Sequence, residues 1–236
     1  MPIKTITAPG DSKGGNLLKS NTNYNTAHDA TAGGTVQTDN KFTIHGKAGS
    51  NYLIRRGVLL YDFSTAQIPR GAKVMGAQLI LNDVTENAAQ TGGDKIRIGW
   101  LYNPNTFGDI HSNDYDKARY SAASYTSAQQ IDNGASGEII RLDNKVLLNR
   151  LQHAINNKTY LHLVIRNELD YQDTTSTGNN RTFFDNLDDN NPMQLRIFYR
   201  AINSRRNMGC GTGRASKSGF GGASMYSGTN SGFGNG

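Results

Sequence analysis

From residue 41 onward, apolar and polar residues alternate with a period of two, the pattern of strands that bury one face. Phe42 and Ile44 open it. Residues 51–63 (NYLIRRGVLLYDF) are dense in β-branched and aromatic side chains and predict a strand or strand pair. In residues 73–82, Ala77, Leu79 and Leu81 share one face, and Gln78 and Ile80 the other. Residues 95–102 put Ile96, Ile98 and Trp100 in phase. Residues 160–166 (YLHLVIR) read as a strand buried or half-buried on both faces. Shorter strands are predicted over 138–142 and 182–185. The last, 193–200, has Met193, Leu195, Ile197 and Tyr199 in phase. One segment changes period. Over 143–156, Val146, Leu147, Leu151, Ala154 and Ile155 recur at helical spacing, and Asp143 or Asn144 can cap the start.

Between these elements lie turn signals. Pro69 and Gly71 mark one turn, Gly92 and Gly93 a loop, and residues 186–192 (NLDDNNP) another turn. Residues 168–181 are polar and read as a loop. Residues 1–40 are rich in Asn, Thr, Gly and Asp and are expected to be arms and long loops, with one strand near residues 3–7. Residues 103–137 lack periodicity, which in a compact domain points to functional loops or a missed short element. Many strands with one short helix predict an all-β chain, a jelly-roll-like β-sandwich. The expected organisation is an N-terminal arm over 1–40, a sandwich core over 41–200, and an extended Gly/Ser-rich basic arm over 201–236.

Composition sharpens that last boundary. Ten of the 27 glycines fall after residue 200, and the unit GFG occurs there twice. Such a segment cannot bury enough apolar surface to fold alone. The formal net charge is +6. Arg205, Arg206, Arg214 and Lys217 supply four of those charges with no acid among them, so the first 200 residues are nearly neutral. A basic nucleic-acid-binding face on the domain is therefore not expected. The tail aromatics Phe220, Tyr226 and Phe233 fit docking on a neighbouring subunit better than single-stranded nucleic acid, since few charges give little grip. A single cysteine, Cys210, excludes an internal disulfide framework and a paired-cysteine zinc site. Apolar runs fall far short of the ~20 residues that span a bilayer, so no membrane partner is expected. The first residues have no apolar leader core, and the chain is expected to be an unprocessed cytoplasmic product.

Candidate chemistry is sparse. No G-x-S-x-G elbow is present, and Cys210 sits in the glycine-rich tail, so an enzyme is not expected. The five histidines share no metal-ligand spacing. Asp170 and Asp173, with Asp185, Asp188 and Asp189, form two acidic clusters. They read first as solvated turns, then as candidates for a structural calcium, then as a glycosidase acid–base pair. No other cofactor is implied. Tyr115, Tyr120, Tyr125 and Tyr171 are candidates for a platform that stacks on glycan or packs against a protein partner, since tyrosine joins an apolar face to a polar tip.

Residues 56–81 read RGVLLYDFSTAQIPRGAKVMGAQLIL. They resemble the DNRLRE-domain family, whose pattern of Arg, apolar strand, Asp, Ser, Ile-Pro, small turn and A-x-L-x-L strand falls here on Arg56, Asp62, Ser64, Ile68, Pro69, Gly71, Ala77, Leu79 and Leu81. The stretch from Phe183 through Pro192 to Leu195, Ile197 and Tyr199 resembles the closing signature of that family. The likeness spans about residues 1–200. Tyr61 departs from it, standing where Phe is usual, and the D-N-R-L-R-E string itself is absent. The resemblance implies a jelly-roll surface or structural domain. In its motif, Arg56 and Asp62 are spaced to pair with each other or to bond loop backbone. With the tail, this sets the expectation of a non-enzymatic virion protein: a phage capsid decoration, cement or fibre subunit on the outer surface. It would associate with itself, as a trimer, and with a major capsid or other virion protein. The alternative is a carbohydrate-binding module.

Overall fold

The computed structural model of the chain describes residues 2–7, 14–34, 36–37, 43–81, 85–88, 92–102, 104, 109–131, 138–178, 180–183 and 193–201. The chain divides into two units, Met1–Ile202 and Asn203–Gly236. The expected arm contacts Arg205, Arg206, Arg214, Phe220, Tyr226 and Phe233 lie outside the described residues, as do Asp185, Asp188 and Asp189.

In chain order the elements are β1 (Ile3–Thr7), β2 (Gly14–Asn21), α1 (Tyr24–His28), β3 (Val36–Gln37), β4 (Thr43–Ala48), β5 (Asn51–Asp62), β6 (Lys73–Leu81), β7 (Thr85–Ala88), β8 (Lys95–Trp100), β9 (Gln129–Gln130), β10 (Glu138–Arg141), α2 (Lys145–Asn157), β11 (Tyr160–Asn167), α3 (Glu168–Tyr171), β12 (Asn180–Phe183) and β13 (Gln194–Arg200). They build an all-β sandwich of two antiparallel sheets. The smaller has the order β1-β13-β6-β10, and the larger runs β7-β12-β4-β5-β11-β8-β9, with β2 on β5 and β3 on β2.

Strand β5 organises the larger sheet. Leu53 is paired with Ser20 of β2 and with Gly46 of β4, whereas Val58 is paired with Gly15 of β2 and Val164 of β11. A strand has two edges. So β4 and β11 share one edge of β5 end to end, and β2 runs along the other.

The larger sheet is buried on both faces. One face packs Leu59, Tyr61, Ile98, Leu163 and Ile165 against Leu79, Leu195 and Ile197 of the smaller sheet and against Leu147, Leu151 and Ile155 of α2. The opposite face packs Leu17, Ile54, Val58 and Val164 under α1, Leu101 and residues 109–125. That double burial explains why β5 and β11 read as continuous apolar runs. By contrast, β6 and β13 keep one face outward and alternate.

Helix α2 begins as the sequence predicts. The Asn144 side chain accepts from the Val146 and Leu147 N–H groups. It ends at Lys158, whose backbone is left-handed at φ 52° and whose ammonium donates to the Ala66 and Ile68 carbonyls at 2.6 and 2.8 Å. Two expectations need correction. Residues 14–28 are not arm, because β2 pairs with β5 along eight residues and Leu17 is fully buried. The fold also has more than one helix: α1, α3 and three 3₁₀ turns (Ser112–Tyr115, Lys117–Arg119 and Ala122–Ser124) add to α2. Among the described residues no helix is long and apolar enough to cross a membrane.

Candidate functional site

Two places concentrate polar chemistry. The first is a charge cluster beneath residues 109–125. Arg56 projects from β5 on the face of Ile54 and Val58, and it is fully buried. Asp170, in the short turn of α3 after β11, is fully buried as well. The Arg56 guanidinium donates to both Asp170 carboxylate oxygens at 3.0 and 2.8 Å, to the Tyr115 carbonyl at 2.7 Å and to the His28 carbonyl at 2.9 Å. One turn before Asp170, Arg166 donates to its Oδ2 and to its backbone carbonyl, both at 2.6 Å.

Burial alone would raise the Asp170 pKa, but Arg166 and Arg56 outweigh it and hold the carboxyl well below the usual carboxylate range. Burial opposes the charge on Arg56 too, and Asp170 overcomes it. The excess positive charge is met by carbonyls and by ring faces, with the Arg56 guanidinium 4.3 Å from the centre of the Tyr115 ring.

This geometry corrects several expectations. Arg56 pairs with Asp170 and with loop backbone, while Asp62 accepts from the Ser64 N–H. Both Asp170 oxygens are taken by guanidinium groups of Arg56 and Arg166. Asp173 is exposed and faces the His28 Nδ1 at 3.1 Å. Among the described residues no three His, Cys, Asp or Glu side chains converge on a metal position.

The tyrosines are corrected as well. Tyr115, Tyr120 and Tyr125 are 0, 5 and 7 % exposed, so they are core and not a surface platform. The Tyr115 hydroxyl donates to the Ala27 carbonyl, and the Tyr120 hydroxyl to the Asp114 and Tyr115 carbonyls. Tyr125 lies over Gly99, where a Cβ would meet its ring at 2.6 Å. Tyr171 is half-buried, 4.8 Å from the Tyr125 ring centre and under the Arg97 guanidinium. Arg97 in turn pairs with Glu168.

The second place is an open cleft of about 320 Å³ where α2 passes the end of β8. Its lining includes Trp100, Tyr102, Arg150, His153, Asn157 and His162. The Arg150 guanidinium stands 4.0 Å from the Trp100 ring centre. The Trp100 and Tyr102 rings are 5.9 Å apart and tilted by 59°. Tyr102 is half-exposed, and its hydroxyl donates to the Ala118 carbonyl, which fixes the ring's position. Burial lowers the His162 pKa and favours the neutral ring. Among the described residues that line the cleft there is no carboxylate side chain. A half-exposed tyrosine face ringed by amide, imidazole and guanidinium donors suits a hydroxyl-rich or anionic ligand better than a cation.

Sequence reasoning placed Trp100 on its strand but missed Tyr102, Arg150, His153 and Asn157 as its neighbours. The signal was present: Arg150, His153 and Asn157 recur at three- and four-residue steps, which puts them on one face of a helix. No protein-family model and no curated protein matches this chain.

Proposed function

We propose that this chain is a non-enzymatic structural protein of a virus particle, a decoration, cement or fibre subunit, with the sandwich as its rigid body and residues 201–236 as an assembly arm. The observation that carries this reading is where the composition changes. The compact unit ends at Ile202, directly after β13, and the glycine-rich segment with Arg205, Arg206 and Arg214 begins there. A jelly-roll surface domain of the DNRLRE kind would play that part, with partners in copies of itself and in a major capsid or other virion protein. Extended arms join neighbours by adding strand or aromatic contacts, and several copies tied together gain avidity. The buried Arg56–Asp170–Arg166 cluster supports the reading, because it spends its carboxylate on holding the turn Ser112–Tyr115 to the sheet.

Light scattering on a sizing column, comparing residues 1–236 with residues 1–202, tests it. A defined oligomer or filament is expected for the full chain and a monomer for the shorter one. Monomers in both cases overturn the self-assembly.

A second reading, a carbohydrate-binding module, is favoured by the Trp100–Tyr102 cleft. It moves the glycan contact from the buried tyrosines to Tyr102, Asn157 and Arg150. A glycan array should then register binding by the full chain that Tyr102→Ala abolishes. A blank array removes this reading.

A further inference from the structure

The outward face of the smaller sheet is electrically one-sided. By pairing register, four basic residues, Lys73, Arg141, Arg196 and Arg200, stand on it. The first 200 residues as a whole are nearly neutral. The pairing register sets where these groups stand. Leu195, Ile197 and Tyr199 pack inward, so Arg196 and Arg200 alternate outward. Arg196 is opposite Gln78, and Gln78 is opposite Arg141 on the next strand, which sets two guanidinium groups in one row across the sheet. Lys73 pairs with Arg200 at the end of the sheet.

Between the cations the same face is apolar. Ile3 pairs with Phe198, and Ile139 with Ile80. Met75 sits at the register break between Phe198 and Tyr199. Ile3, Met75 and Ile139 are 55, 52 and 44 % exposed, and with Tyr102 they are the exposed large hydrophobic side chains among the described residues. A flat sheet face carrying both exposed aliphatics and one sign of charge marks an interaction surface.

We infer that this face docks on an acidic, partly apolar protein surface. Charge decides among the occupants. A second copy facing through the same patch would set four cations against four. The segment 203–236 carries four basic residues and no acid, so it repels this face too. A nucleic acid would use the cations but would leave the aliphatic side chains without a partner, since phosphates gain nothing from Ile3 or Ile139. An acidic, partly apolar protein surface satisfies both sets at once. The inference rests on the structural-protein reading in one respect: it assigns this face, and not the arm, to the foreign partner.

The test uses the full chain and two immobilised probes. Carboxylate-modified polystyrene presents acids on an apolar surface, and duplex DNA presents phosphates. Salt-sensitive retention on the polystyrene is expected. It should fall about tenfold or more in Arg141→Glu/Arg196→Glu. Retention should also fall in Met75→Ser/Ile139→Ser and stay unchanged in Lys95→Glu/Lys145→Glu, which lies off the face. All four altered face positions are exposed or half-exposed, and thermal melting of each variant separates lost docking from lost folding. Retention on DNA that matches the polystyrene and ignores the Met75/Ile139 change overturns the inference in favour of a polyanion. Retention that neither face variant alters overturns it outright. Co-sedimentation with virus particles is scored separately. A chain absent from particles that still docks through this face loses the particle reading and keeps the surface.

Discussion

Arg56 and Asp170 lie 114 residues apart in sequence, and both are fully buried, joined by hydrogen bonds of 2.8 and 3.0 Å. The pair ties the middle of β5 to the turn after β11, and through the Tyr115 and His28 carbonyls it also holds the turn Ser112–Tyr115 and α1. Removing the carboxylate would leave two buried guanidinium groups without their counter-charge. Asp170→Asn is therefore expected to destabilise the sandwich by about 3–5 kcal/mol, the range seen when one partner of a buried pair is lost. Urea unfolding measures it, and a change below about 1 kcal/mol would show that the cluster does not clamp the fold.

Acid should unfold the protein in two stages. Burial lowers the His45 imidazole from 6.5 to about 4. The unfolded chain then takes up the proton first as pH falls. This contribution is complete above about 6.5 and erodes down to about 4, roughly 3 kcal/mol in all. The Asp170 carboxyl is depressed, so its contribution is present above its unfolded value near ~4 and is lost as pH falls further, through its folded value. Stability measured in denaturant from pH 7 downward should fall between 6.5 and 4, then fall again below that. His45→Gln should shrink the first fall, leaving the smaller share that the buried His162 adds, and leave the second. A wild-type profile level from pH 7 to 4 contradicts the assignment.

Tyr61 places its hydroxyl in the main core with no hydrogen-bond partner among the described residues, and burial pushes its pKa up. An orphaned hydroxyl in that setting costs about 1–3 kcal/mol. Tyr61→Phe should raise the unfolding free energy by about 1 kcal/mol. Lower stability in the variant would mean that the hydroxyl is satisfied.

Gly99 on β8 touches the Tyr125 ring so closely that a methyl group would sit 2.6 Å from it. Gly99→Ala must move that ring, which is also 5.8 Å from the Arg166 guanidinium. A loss of about 1–3 kcal/mol is expected, as for other overpacked core positions. Gly99→Ala combined with Tyr125→Leu should recover part of it, and calorimetry of the single and double variants checks both.

The sandwich was legible where burial has a local period. The strands over 73–82, 95–102, 160–166 and 193–200 correspond to β6, β8, β11 and β13 within a few residues, and the α2 cap was read directly from Asn144. Strand β2 was not legible. Its sequence GGNLLKSN has two adjacent leucines and no alternation, and its structure comes from pairing with β5. The charge cluster was hidden for a related reason. Nothing near Arg56 in the sequence points to Asp170, and the spacing to Asp62 offered a nearer partner that the fold does not use. The four tyrosines looked like surface because polar residues surround them in sequence. The burial of Tyr115, Tyr120 and Tyr125 comes from residues 109–125 packing onto the larger sheet.

The last described strand is not at the rim of its sheet. β13 lies between β1 and β6, with Ile3 opposite Phe198 on one side and Ala77 opposite Ile197 on the other. During synthesis, β1 thus emerges long before its partner β13 and has no sheet partner until the chain is made past Arg200. Until then β6 presents an open, apolar flank. Closure of the smaller sheet joins segments almost 200 residues apart, so it should be slow and exposed to mispairing between nascent chains. Ribosome-stalled chains ending before Gln194 should accordingly be protease-sensitive in β1 and β6, and they should become resistant together once β13 is clear.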